Sequence, residues 1–132
     1  MINPSPLLRR ILVIDAVFSG ISAVSLVGGA GLLAPLLNLP EALVRESGLF
    51  LIVYAALVGW LATRAALSAG AVWAVIVVNA VWVLASVALL FSPAVSPNWL
   101  GEGAIVLQAI AVGVIAELQY VGLRRSAPAL SA

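Results

Sequence analysis

Five polar side chains interrupt the long apolar stretches of this sequence, and these residues could do chemistry there. They are Asp15, Arg64, Asn79, Gln108 and Glu117. An ionisable side chain within a bilayer costs from about 2.5 kcal/mol upward, so in a membrane helix it is a functional hypothesis by default. The acidic residues would carry protons or contact a substrate, or they would form ion pairs that fix helix packing. Both interpretations stay open at this point.

Asp15, Arg64 and Glu117 are predicted to lie at similar depths in the membrane, measured from the side of the two termini. Asp15 follows Arg10 by five residues, about 7 Å along a helix, and Glu117 precedes the C-terminal arginine pair by seven, roughly 10 Å. Because unpaired charge in hydrocarbon is costly, we expect Asp15, Arg64 and Glu117 to converge. Two carboxylates and one guanidinium cannot all be neutralised in pairs. Either Arg9 or Arg10 therefore also reaches Asp15, or one carboxyl keeps its proton near neutral pH.

The two amides have different predicted surroundings. Asn79 lies about 13 Å from the start of its apolar stretch, which places it in the same half of the molecule as Asp15. Gln108 is half a turn from Glu117 on the helical wheel, so both cannot face the centre of one bundle. Gln108 shares its face with Gln119. Either that face meets a second subunit, or Gln108 forms hydrogen bonds within the other half.

The composition of the chain identifies the solvent around these residues. Hydrophobic residues make up 64% of the sequence and charged residues 8%, with a mean hydropathy of +1.25. Soluble domains carry roughly 25% charged residues, so only a bilayer fits. With about 20 residues per span, the length predicts one all-α domain, 1–132, folded as a four-helix transmembrane up-down bundle. The predicted spans are about 11–33, 47–63, 72–91 and 103–123.

Proline and glycine mark the predicted connections between spans. The first span is expected to end before Pro35, since proline interrupts helical hydrogen bonding. Gly70 is expected at a helix end. The residues after Arg125 are expected to form a small disordered tail.

The residue types also exclude several classes of function. The chain contains no Cys and no His, so it lacks a thiolate nucleophile and an imidazole base. We therefore predict that it is not an enzyme, with no catalytic, cofactor-binding or metal-binding residues and no cofactor. A net charge of +1 does not provide the basic surface of a nucleic-acid-binding protein. The predicted partners are membrane lipids, with a homo-oligomer or a larger membrane-protein partner as further expectations.

Arginine is distributed unevenly between the two sides of the predicted bundle. Five arginines fall on the side of the termini, and one falls on the opposite side, among three glutamates. Short loops rich in arginine stay in the cytoplasm, so both termini are predicted to be cytoplasmic. The absence of Lys, together with heavy use of Ala, Val, Gly and Leu, suggests a GC-rich bacterium. The predicted location is thus the bacterial inner membrane.

Several short motifs resemble those of a known group of proteins. Leu8-Arg9-Arg10, Ser19-Gly20, a proline-containing first loop and Gly48 opening the second span resemble small bacterial DoxX-like proteins. The segment 116–125, with sequence AELQYVGLRR, is similar to the end of uncharacterised four-helix inner-membrane proteins. The resemblance implies a four-helix inner-membrane protein with no assigned catalysis. It carries over no functional residues.

Two functions remain as hypotheses from the sequence. The first is a structural, accessory or binding protein of the membrane. The second is an oligomeric small secondary transporter or channel that uses its intramembrane carboxylates. Four spans rarely enclose a translocation pathway, so the second hypothesis requires more than one subunit.

Overall fold

A computed structural model of the protein describes residues 1–128, and its architecture is a helical bundle. Four helices of 22 to 26 residues are long and apolar enough to cross a membrane. At 1.5 Å per residue they measure about 33–39 Å, against a hydrocarbon core of about 30 Å. The predicted all-α class is confirmed. In chain order, the elements are β1 (Ile2–Asn3), α1 (Pro6–Gly28), α2 (Ala30–Leu37), α3 (Glu41–Ala62), α4 (Ala69–Leu90), α5 (Trp99–Arg124) and β2 (Ala127–Pro128).

The four long helices pack in the order α3, α1, α5, α4. Helix α1 packs against both α3 and α5, and α4 packs against α5. Helices α3 and α4 meet mainly through side chains: the rings of Phe50 and Trp82 stack with centroids 5.8 Å apart. The short helix α2 contacts α1, α3 and α5 at one end of the bundle, which we call the α2 end.

Two glycines let the backbone of α1 approach its neighbours closely. A Cβ atom on Gly122 of α5 would lie 2.8 Å from the Cα of Leu8. A Cβ atom on Gly48 of α3 would lie 2.9 Å from the backbone nitrogen of Val27. Membrane helices associate through such small residues because lipid provides no hydrophobic force between them. These contacts hold α1 against α5 near the termini and against α3 near the α2 end.

The opposite end of the bundle, which we call the terminal end, brings together the first residues of the chain, the residues after α5 up to 128, and the α3–α4 connection. Strand β1 pairs antiparallel with β2, and Ile2 exchanges backbone hydrogen bonds of 2.6 and 2.9 Å with Leu67. Ser5 caps α1 by accepting from the Leu8 N–H, and its hydroxyl donates to the carbonyl of Gly122 at 2.7 Å. The five arginines predicted to share one side all lie at this end, and Arg45, predicted on the opposite side, lies at the α2 end. The five are Arg9, Arg10, Arg64, Arg124 and Arg125.

Some predicted boundaries differ from those in the structure. The first span stops at Gly28 because the chain bends at Gly29, where a helix loses little by breaking. Pro35 does not end a span; it lies inside α2. The C-cap of α2 is Asn38, in the left-handed conformation that asparagine tolerates (φ 55°). Gly70 lies in the first turn of α4, where Ser68 is the N-cap. Part of the predicted tail is ordered as β2, and residues 129–132 lie outside the described part.

Candidate functional site

A buried carboxylate and four polar side chains form one hydrogen-bonded cluster in the half of the bundle nearer the termini. Asp15 is only 2% exposed, and Gln119 is fully buried. We call this cluster the Asp15 network. Its members come from all four long helices: Asp15 and Ser19 from α1, Tyr54 from α3, Asn79 from α4 and Gln119 from α5.

The carboxylate oxygens of Asp15 are the centre of this network. The Oδ2 atom lies 2.6 Å from the Tyr54 hydroxyl, 2.7 Å from Nε2 of Gln119 and 3.2 Å from Nδ2 of Asn79. The Oδ1 atom accepts from the hydroxyl of Ser19 at 3.1 Å. Asn79 and Gln119 also bond to each other at 2.8 Å, and the Tyr54 hydroxyl lies 2.8 Å from Oδ1 of Asn79. Burying a polar group is costly unless it is paired, and here each side chain has a partner.

The predicted convergence of Asp15, Arg64 and Glu117 is wrong. Arg64 is exposed at the end of α3, where its guanidinium lies over the ring of Trp60. Glu117 lies on the outer surface of the bundle, and within residues 1–128 it forms no ion pair or hydrogen bond. The physical reason is the rotation of α5. Gln119, two residues further on, is turned about 200° from Glu117 and takes the inward position.

Neither N-terminal arginine reaches Asp15 in the described part of the chain. Arg9 instead donates to the backbone carbonyls of Ala62 at 2.6 Å and Arg64 at 2.8 Å. It thereby satisfies the free carbonyls at the end of α3, where a positive charge also complements the helix dipole. Arg10 is exposed. Of the two expected ways to neutralise Asp15, pairing with Arg9 or Arg10 is not found.

Gln108 belongs to a second polar group nearer the α2 end. It accepts from the indole N–H of Trp82 at 2.7 Å and donates to Ser86 at 2.9 Å and to the carbonyl of Ile105 at 2.8 Å. We call Trp82, Ser86 and Gln108 the Gln108 cluster. Of the two predicted environments for Gln108, hydrogen bonding within one bundle is the one observed. Asn79 lies at the depth of Asp15, as expected.

A cavity of about 370 Å³ extends from the Asp15 network toward the α2 end. Ser19, Tyr54 and Asn79 line its inner part, and Leu37 and Leu39 line it near α2. Its wall is mostly apolar, interrupted by the Gln108 cluster and by serines. The serines are Ser22, Ser25 and Ser47.

The cavity communicates with the outer surface of the bundle. Ile21 and Phe50 both line it and are 66% and 47% exposed. In a bilayer these two residues would face lipid, so this side of the cavity would lie next to the hydrocarbon. Drug-sized ligand sites are typically about 300–1,000 Å³ and mostly apolar with a few polar groups, and this cavity has that character.

Sequence reasoning missed two members of the Asp15 network. Tyr54 carries a hydroxyl in the middle of an apolar stretch, and that hydroxyl needs a buried partner. Gln119 precedes Arg124 by five residues, the same separation that places Asp15 after Arg10. Matching depths would therefore have paired Asp15 with Gln119 rather than with Glu117.

The comparisons with known proteins add no family to these observations. No protein-family model matches the chain, and no curated protein or solved structure is significantly similar to it. The functional argument therefore depends on the geometry of the cavity and of the Asp15 network.

Proposed function

We propose that this chain is a multi-pass binding protein of the bacterial inner membrane, and that its cavity takes a bilayer-dissolved small molecule. The observation that carries the proposal is the 370 Å³ cavity, which joins lipid-facing side chains to a buried polar network. With neither Cys nor His in the sequence, we propose binding rather than catalysis. The DoxX-like resemblance belongs to the same proposal and implies no substrate.

The lining of the cavity supports a ligand of one chemical class. Its wall offers apolar contact from Phe18, Leu51 and Val78, which favours a hydrocarbon body. The hydroxyls of Ser22 and Ser47 line it without a hydrogen-bond partner among residues 1–128, and they offer donors for one polar group. A long-chain alcohol or a carbonyl compound of similar size has this combination.

Orientation is part of the same proposal. Arg9, Arg10, Arg64, Arg124 and Arg125 lie at the terminal end, whereas Arg45 lies at the α2 end, in an ion pair with Glu41 at 2.5 Å. This asymmetry favours a cytoplasmic location for both termini. The cavity then opens in the half of the bilayer that faces away from the cytoplasm.

Fluorescence quenching tests the binding proposal. Trp82 lines the cavity. A variant with Trp60→Phe, Trp73→Phe and Trp99→Phe keeps Trp82 as its single tryptophan, so its fluorescence reports on the cavity. We expect a brominated long-chain alcohol to quench Trp82 saturably in vesicles. Ser47→Leu fills the cavity and should weaken binding by about tenfold, equivalent to roughly 1.4 kcal/mol.

Ala56→Leu is the matched control, because Ala56 lies on the same helix but on the outer surface. It should bind the alcohol as the parent does. Quenching of Trp82 that rises linearly with the alcohol, as expected for a lipid-facing tryptophan such as Trp60, would contradict the proposal.

A second candidate function is the oligomeric secondary transporter. The observation that favours it is Asp15, a buried acid beside a cavity, with no ion pair in the described chain. Glu117 would join such a pathway only if a second copy covered the outer face of α5. A homo-oligomer or a larger membrane partner on that face stays a prediction, as Gln108 is bonded within its own bundle.

A further inference from the structure

Four residues of the Asp15 network form a closed ring of short contacts. Oδ2 of Asp15 lies 2.6 Å from the Tyr54 hydroxyl oxygen, which lies 2.8 Å from Oδ1 of Asn79. Nδ2 of Asn79 lies 2.8 Å from Oε1 of Gln119, and Nε2 of Gln119 lies 2.7 Å from the same Oδ2 of Asp15. Each of these four contacts joins two electronegative atoms at hydrogen-bond distance, so each needs one hydrogen between them.

The hydrogens available from the other three residues number three. The Tyr54 hydroxyl has one. Asn79 and Gln119 each direct one nitrogen and one oxygen into the ring, so each amide places one hydrogen on a ring contact. With an ionised Asp15, one contact would have two oxygens facing each other without a hydrogen.

Exchanging the oxygen and nitrogen of an amide does not remove this deficit. If Asn79 is turned, its oxygen faces Oε1 of Gln119 at 2.8 Å. If both amides are turned, Oε1 of Gln119 faces Oδ2 of Asp15 at 2.7 Å. If Gln119 alone is turned, its oxygen again faces Oδ2 and its nitrogen faces that of Asn79. Each arrangement leaves at least one pair of acceptors in contact.

We propose that Asp15 is a proton-binding site, and that its carboxyl group carries a proton in the folded protein. The acid then donates to Tyr54, Tyr54 donates to Asn79, Asn79 donates to Gln119, and Gln119 donates back to Oδ2. All four bonds run in one direction around the ring, and such chains of hydrogen bonds strengthen one another. The other oxygen, Oδ1, is the carbonyl of the acid and accepts from Ser19.

Among residues 1–128, no charged side chain contacts Asp15 to stabilise its ionised form. The titratable group facing it from α3 is Tyr54, while α4 and α5 present the amides of Asn79 and Gln119. Helix α2 contains no ionisable residue. The charged residues of α1 lie away from it, since Arg9 binds the end of α3 and Arg10 is exposed. The other ionisable groups of α3 and α5 are exposed too: Glu41, Arg45, Glu46, Glu102, Glu117, Tyr120 and Arg124.

Release of the proton would change a contact between two helices. The proton passes to water entering the cavity, and the Tyr54 hydroxyl turns to the new carboxylate, which is the stronger acceptor. Oδ1 of Asn79 then loses its donor. Tyr54–Asn79 is the side-chain hydrogen bond that joins α3 to α4 in the described chain. Ionisation of Asp15 therefore removes this hydrogen bond between α3 and α4 beside the cavity, while the stacked rings of Phe50 and Trp82 stay in contact.

Isotope labelling offers a direct test, because Asp15 is the chain's only aspartate. Cell-free synthesis with carboxyl-¹³C aspartate labels this one side chain. In infrared spectra at neutral pH, we expect the labelled carbonyl band to have the frequency of a protonated acid. A labelled band in the carboxylate region at neutral pH would overturn the proposal.

The pH dependence of stability gives a second, independent test through its sign. If the folded protein binds one proton more than the unfolded chain, its free energy of unfolding falls as pH rises. We expect the thermal midpoint in detergent to fall between about pH 5 and pH 8, a range in which no histidine contributes. An ionised Asp15 would give no such slope, because folded and unfolded chains would both carry the carboxylate in this range, and a flat profile would sink the proposal.

Two variants test whether Asp15 causes this pH dependence of the thermal midpoint. Asp15→Asn should remove it, and Glu117→Gln, which alters the outward-facing acid, should retain it. If the thermal midpoint of Asp15→Asn depends on pH as strongly as that of the parent, the proposal is contradicted. If Asp15→Asn does not fold, the infrared band of the labelled parent protein decides the question. These tests need no ligand, so their failure is distinct from failure of the binding proposal.

Discussion

At the scale of single residues, the interior depends on polar groups that satisfy one another. Buried amides and hydroxyls without partners cost about 1–3 kcal/mol each. Within residues 1–128, no buried side-chain nitrogen or oxygen lacks a partner. Asn79 has a special place in this arrangement, because it contacts Tyr54, Asp15 and Gln119 on three different helices.

Replacement of Asn79 by leucine should therefore be costly although the two side chains have the same branched arrangement of heavy atoms. Asn79→Leu removes the hydrogen bonds that Asn79 makes to Tyr54, Asp15 and Gln119. We expect the free energy of unfolding in detergent to fall by about 1–3 kcal/mol. Ala80→Leu, on the outer surface of the same helix, should change it by less than about 0.5 kcal/mol. Equal effects of both changes would show that the network contributes no stability.

At the scale of helices, α1 is the element that joins α3 to α5. It contacts α3 along one side and α5 along the other, and it supplies Asp15 to the network. Its backbone comes close to the neighbouring helix where that helix has glycine, at Gly48 and Gly122. Backbone contact at both positions fixes how far α1 can turn, and hence where the carboxylate points.

A methyl group at Gly122 should push α1 and α5 apart. In Gly122→Ala the new Cβ would lie 2.8 Å from the Cα of Leu8, which is backbone and cannot rotate away. We expect a loss of about 1–3 kcal/mol in the free energy of unfolding, typical of overpacking.

Gly103→Ala on the same helix is the control, since nothing lies within 4 Å of its new Cβ. It should be neutral or stabilise the protein by up to about 1 kcal/mol, because alanine favours helix more than glycine does. If Gly122→Ala leaves the free energy of unfolding unchanged, the backbones of α1 and α5 are not in close contact at this position.

At the scale of the whole molecule, the chain has two unlike ends. The terminal end contains the β1–β2 pair and the contact of Ile2 with Leu67. The α2 end is held by Asn98, whose side chain donates to the carbonyl of Leu36 at 2.8 Å, and by Asn38, which donates to the carbonyl of Ser96. Five arginines lie at the terminal end, so the charge difference between the ends predicts the orientation in a membrane.

Cysteine labelling tests this orientation without background, because the chain has no natural cysteine. Ala65 and Ser96 are both exposed and lie at opposite ends. In intact cells we expect a membrane-impermeant thiol reagent to label Ser96→Cys and to leave Ala65→Cys unlabelled. Labelling of Ala65→Cys from outside would reverse the proposed orientation, and labelling of both would contradict a single topology.

The sequence by itself determined the solvent, the helix class and the number of long helices. Its low charge requires lipid, and in lipid a backbone must satisfy its hydrogen bonds within each segment, which favours helices. Arginine spacing also placed five basic residues at one end. Local chemistry was less decisive: Pro35 was expected to end the first span, but the chain bends at Gly29 and continues through Pro35 in α2.

Only the tertiary structure decided which face of each helix points inward. Apolar residues surround these helices on all sides, so no amphipathic stripe indicates their rotation. Each residue along a helix turns the side chain by about 100°, so the two-residue step from outward-facing Glu117 to buried Gln119 turns it by about 200°. Close packing at Gly48 and Gly122, between residues distant in sequence, sets the rotation that brings Asp15 to Tyr54, Asn79 and Gln119.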